Sequence, residues 1–129
     1  MKYLCLAYYD TAKLDALSPE EMKALESQCP PHDEALRATG KLVMQGSLGP
    51  PESGASIRPN AGRPSMTDGP FIETHEQIGG MFIIEAKSLY EALQIASKHP
   101  AALLGDRVGW GIEVRPIEFV EEYAVVPAT

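Results

Sequence analysis

Apolar residues fall in short blocks along this chain, and Ser, Pro and Gly punctuate them. The aromatic and aliphatic run from Tyr3 to Tyr9 ends at Asp10, which predicts a strand over Met1–Tyr9. Ser18-Pro19-Glu20-Glu21 opens a helix. Ser18 suits the N-cap, Pro19 the first helical position, and Glu21 completes a capping box. Met22, Leu25 and Cys29 then share one face. Gly40 is the expected C-cap, and Lys41–Leu48 the second strand. The plan then repeats. Gly80–Ala86 predicts a strand and Ser88-Leu89-Tyr90-Glu91 a second capping box. Leu89, Ala92, Leu93 and Ala96 make the apolar face of a helix that ends near His99-Pro100. In Gly109–Ile117, Ile112 and Val114 alternate with Glu113 and Arg115, which predicts a last strand.

A β-α-β unit followed by another predicts an α+β domain over residues 1–129. Its architecture is a ferredoxin-like antiparallel sheet with both helices on one face. The Pro- and Gly-rich segment 49–71 between the units predicts an inserted hairpin, Ala55–Arg58 with Pro64–Thr67, turning at Asn60-Ala61-Gly62. Pro30 and Pro31 fall where one helix would run from Ser18 to Thr39. An interior proline costs roughly 3 kcal/mol, so a break is expected near Ser27–Cys29 with a second helical piece from about Pro31.

Helices on one face leave the other sheet face bare, and here that face is not polar. Met81-Phe82-Ile83-Ile84 offers apolar side chains to both sides, as do Tyr3/Cys5/Ala7/Tyr9 and Leu4/Leu6/Tyr8. A large exposed apolar face predicts a partner, and a two-fold homodimer with sheets face to face would cover it. The tail Phe119–Val126 would extend the sheet or reach across to that partner.

Charge and composition narrow the partners. Eleven basic and eighteen acidic residues in 129 give a net charge of −7, which argues against nucleic-acid phosphates and anionic membranes. Cys5 and Cys29 are the only cysteines and form no metal-binding spacing, so neither a metal site nor a cofactor is expected. The first apolar run lacks a cleavage site and no stretch has membrane-spanning length, so a cytoplasmic protein is expected.

Candidate chemistry centres on Thr67-Asp68-Gly69-Pro70-Phe71. Asp68 either holds the turn through its own backbone or acts as a general base raised by apolar neighbours such as Phe71. Glu73 and Glu76 can assist it, or can belong to a solvated loop. His32 is adjacent to Asp33, and on a helix neighbours point about 100° apart. His99 stands at the expected helix end, where positive charge suits the dipole. Tyr8, Tyr9 and Trp110 can line a pocket or fill the core, and Arg107 or Arg115 can meet an anionic ligand. Gly79-Gly80 before the strand suggests close backbone approach.

These residues resemble a known group. Lys2–Tyr9, Thr67–Thr74, Glu76-Gln77-Ile78-Gly79-Gly80 and Glu113–Ile117 are similar to the YCII-related proteins of the DGPF type, over nearly the whole chain. Asp68, Gly69, Pro70, Phe71, Glu73, Glu76 and Gly80 match its motif. The resemblance implies a dimeric α+β barrel built from ferredoxin-like protomers. It implies a cleft faced by a His and an Asp, on a barrel shared with muconolactone isomerase-like enzymes. Some of these proteins are encoded beside, or joined to, extracytoplasmic-function sigma factors. The expectation is therefore a small-molecule enzyme of isomerase or lyase type, with Asp68, His32 and Glu73 catalytic and Tyr9, Phe71 and Arg115 binding ligand. The alternative is a non-catalytic ligand-binding or regulatory module, with a sigma factor as possible protein partner.

Overall fold

A computed structural model describes residues 1–128. The chain runs β1 (Lys2–Asp10), α1 (Thr11–Asp15), α2 (Pro19–Ser27), α3 (Pro30–Arg37), β2 (Leu42–Ser47), β3 (Ala55–Asn60), β4 (Arg63–Asp68), β5 (Glu76–Glu85), α4 (Leu89–Ala96), α5 (Pro100–Leu103) and β6 (Gly111–Pro116). The main sheet has the order β2-β5-β1-β6, and its pairs are antiparallel. This is the ferredoxin-like order, with the two central strands, β1 and β5, from different β-α-β units.

Strand alternation sorts the two sheet faces. Tyr3 and Cys5 lie opposite Ile84 and Phe82, and all four are buried against Leu36 of α3 and Ala92, Ile95 and Ala96 of α4. Leu4 and Leu6, opposite Ile83 and Met81, point to the other face and stay half-exposed.

Pro30 and Pro31 do split the first helix. α2 ends at Ser27, and α3 starts at Pro30, where the missing N–H costs nothing. Ser18 forms both arms of its capping box with Glu21. Ser88 caps α4 by accepting from the Glu91 N–H at 3.1 Å, without the reciprocal arm. The hairpin is longer than expected, Ala55–Asn60 with Arg63–Asp68, and turns on Ala61 and Gly62 alone. Both have positive φ, 51° and 80°, as a tight right-twisted hairpin requires. β5 begins at Glu76, four residues before the expected start, and is bulged at Gly79.

The structure adds two short helices and corrects two expectations. Residues Thr11–Asp15 and Pro100–Leu103 are helical, because Asp10 and His99 each cap the backbone that follows. His99 is therefore an N-cap and not a cation at the end of α4, which closes at Ser97. Of the two alternatives for the tail, extension of the sheet is not formed: Phe119, Tyr123 and Val125 are exposed and unpaired with the sheet.

Candidate functional site

The main cleft, about 770 Å³, lies on the helix-covered face of the sheet beside the core. Its floor is low because its residues are small. Ala7 pairs with Gly80 on one side and Ile112 on the other, and Gly79 is the bulge. Two residues back along β1, the same face is filled by Cys5 and Phe82. A Cβ on Gly79 would come within 2.9 Å of the Tyr9 ring, so the bulge and Tyr9 need each other. Walls come from Met22 of α2, from Cys29, Asp33 and Arg37 on or beside α3, and from His99 and Trp110. The split at Pro30 sets α3 as a separate piece, and Asp33 and Arg37, four apart, share its cleft-facing side.

His99 is the best-defined polar group there. Its ring stacks on Phe82, with centroids 4.7 Å apart and planes 1° apart. Its Nδ1 accepts from the Ala101 N–H at 2.9 Å. A ring nitrogen that accepts carries no proton, so His99 is neutral with its hydrogen on Nε2. Burial pushes its pKa below 6.5, and the Asp33 carboxylate partly opposes that. Nε2 makes no hydrogen bond among the described residues and is not sealed from the surface.

Asp33 is half-buried, and its carboxylate joins no ion pair or hydrogen bond among the described residues. Arg37, the nearby cation of the lining, sits 3.5 Å from Glu34 instead. The Cys29 thiol is pushed up by burial, then by Asp33 and Glu26, so it stays protonated and is a poor nucleophile. Burial, then Glu52 and Asp15, raise the Tyr9 phenol. The lining thus offers a neutral N–H donor, a free carboxylate acceptor and aromatic walls. Among the described residues, no three His, Cys, Asp or Glu side chains are grouped to hold a metal ion.

Of the residues singled out in the sequence, Tyr8, Tyr9, Gly79, Gly80, His99 and Trp110 line this cleft. Asp68 ends β4 opposite Ala55, and its side chain is exposed and outside the lining. The turn after it is held by backbone: the Gly69 N–H donates to the Gly54 carbonyl at 2.8 Å, and Ser56 Oγ donates to the Gly69 carbonyl at 2.8 Å. Gly69 has φ +93°, which explains glycine there. Phe71 lies under the Arg58 guanidinium, 3.7 Å from its ring centre, and is exposed. Glu73 is exposed, and His32, half-buried on α3, is not part of the lining. Arg115 lies on the opposite sheet face, paired with Glu113, which also accepts from the Tyr8 hydroxyl at 3.0 Å. Arg107 closes on Glu21 of α2 at 2.7 Å, beside a smaller hollow of about 300 Å³.

Asp33 and His99 line the cleft, and the sequence reading gave neither of them a place in a site. A signal for His99 was present: His-Pro directly after a helix is an N-cap followed by a first-turn proline. Nothing local marks Asp33, because its neighbour across the cleft is 66 residues away.

Comparison with known proteins supplies a family. Residues 1–118 match the model of the YCII-related domain. An uncharacterised protein of Rhizobium meliloti (strain 1021) is 35% identical over 96 residues, which is 74% of this chain and 77% of that protein.

Proposed function

The chain belongs to the YCII-related family, and from that premise we propose that it binds a small organic molecule in the sheet–helix cleft and moves a proton on it. The observation that carries this is the pair at the cleft wall: an unpaired Asp33 carboxylate facing the same space as a neutral His99 with a free Nε2–H. Paired groups of opposite hydrogen-bonding capacity in a concave, largely apolar cleft are what general acid–base chemistry needs. Asp68, Glu73 and His32 have no part in this reading, since each is outside the cleft lining.

The same reading has a homodimer join through the face of Leu4, Leu6, Met81 and Ile83, extended by Val43 and Met44, which are 49% and 50% exposed. A face of this kind is costly to leave in water.

The test is a fragment screen read by Trp110, the one tryptophan and a cleft residue. Quenching in the wild type, lost in Ala7→Leu, is expected. Quenching that survives Ala7→Leu places binding elsewhere and sinks the reading. A second reading, a non-catalytic module for a protein partner such as a sigma factor, draws on the hairpin, where cross-strand neighbours Ile57 and Met66 are 61% and 71% exposed. It predicts no fragment quenching of Trp110, and loss of partner binding in Met66→Glu.

A further inference from the structure

The tautomer of His99 divides the labour in the cleft. Since Nδ1 is committed to the Ala101 N–H, the imidazole cannot take a proton there without breaking the cap of α5. Nε2 already carries its hydrogen. His99 can therefore donate a hydrogen bond into the cleft but cannot serve as the base. The base must be a group with a free lone pair, and Asp33 is the half-buried carboxylate that nothing else occupies. A neutral imidazole donor beside a carboxylate base is an arrangement that polarises a carbonyl while a proton leaves the adjacent carbon.

The charges of the lining narrow the molecule further. Glu26 and Asp33 are acidic, and the one guanidinium, Arg37, stands by Glu34. A polyanionic substrate would be repelled there. Resting on the cleft reading given above, we infer that the substrate is an uncharged, enolisable carbonyl compound, its oxygen on His99 Nε2–H and its acidic C–H at the Asp33 carboxylate. Asp33 takes the proton from the carbon beside the carbonyl. The C–H electron pair becomes a C=C bond, and the carbonyl π pair moves onto oxygen, where Nε2–H holds it. Asp33 then returns the proton, to the same carbon or to a conjugated one, so exchange or double-bond migration results with no oxidant or reductant.

Two measurements on the full chain test this. Ring-labelled ¹⁵N NMR at pH 7 should find His99 neutral with Nε2 protonated; an Nδ1–H tautomer or an imidazolium overturns the assignment. Pentane-2,4-dione in D₂O is the probe, with deuterium uptake at its central carbon read by NMR and occupancy read by Trp110 fluorescence. Wild-type protein should accelerate uptake over buffer. Asp33→Asn should lower the protein-dependent rate by about 100-fold or more. His99→Asn, whose oxygen can keep the Ala101 cap, should lower it at least about 10-fold while the protein stays folded. His99→Gln, whose amide reaches toward the Nε2 position, should keep more of the rate and melt lower. Quenching without accelerated uptake overturns the carbonyl assignment and leaves the cleft standing. The same holds if the dione fails to quench while other fragments succeed. If no fragment of any chemistry quenches Trp110, the cleft reading itself falls.

Discussion

His99 ties together core, cap and cleft through one ring. Its face packs on Phe82, one nitrogen caps α5, and the residue lines the cleft. Those roles fix its neutral state, and burial depresses its pKa below 6.5. A histidine with a depressed folded pKa holds fewer protons folded than unfolded below that value. Its contribution is complete above about pH 6.5 and lost as pH falls through the folded pKa. The melting temperature of the wild type should therefore drop on acidification below pH 6.5, and His99→Asn should show a smaller drop over the same range. A calorimetric pH series checks this, and equal slopes would deny the coupling. Asp68 is the contrasting case. An exposed side chain at a strand end, on a turn secured by Gly69 and Ser56, contributes little. Asp68→Asn should change stability by no more than about 0.5 kcal/mol by chemical denaturation. The Asp-Gly-Pro signal in the sequence was real, and in the fold it marks the positive φ at Gly69.

At the level of elements, caps explain what was legible. Ser18, Pro19 and Glu21 mark the start of α2 in four residues, and the structure forms both arms of that box. The Pro30-Pro31 break was equally plain, because a missing donor is a property of the residue itself. α1 and α5 escaped notice because they are five and four residues long, too short for a periodic pattern. Each is defined by one capping side chain. Ser18→Ala should cost about 1 kcal/mol in unfolding free energy. Glu21 adds a pH signature to the same cap. The Ser18 backbone N–H, then Arg107, hold its carboxyl at about 2, well below its ordinary 4.5. A depressed carboxylate stabilises fully above its unfolded pKa and loses that contribution as pH falls through the folded one. The Arg107–Glu21 contact should therefore persist to about pH 4.5 and loosen towards pH 2. Arg107→Ala should raise the Glu21 pKa in a side-chain carboxyl NMR titration, and an unchanged value would contradict the contact.

The whole molecule is a sheet with two different faces. Alternation in β1 and β5 showed both faces to be apolar, and the structure closes one with α3 and α4. The other carries Leu4, Leu6, Met81 and Ile83. Leu6→Glu should leave the helix-side core intact and break the proposed dimer into monomers in sedimentation, whereas a wild-type monomer at micromolar concentration would remove that proposal. The cleft was not legible in the same way. It arises where small residues from distant strands, Ala7 and Gly80, meet in register, and where α3 brings Asp33 towards His99. Local pattern identifies elements; long-range register makes the cavity, and only the fold reveals it. The most direct test of the account is therefore one Trp110 titration, with the same fragment hits, run on wild type, Asp68→Asn and Ala7→Leu. Binding kept by Asp68→Asn and lost by Ala7→Leu is the predicted result. Binding lost by Asp68→Asn and kept by Ala7→Leu would return the site to the Asp-Gly-Pro turn and contradict the account.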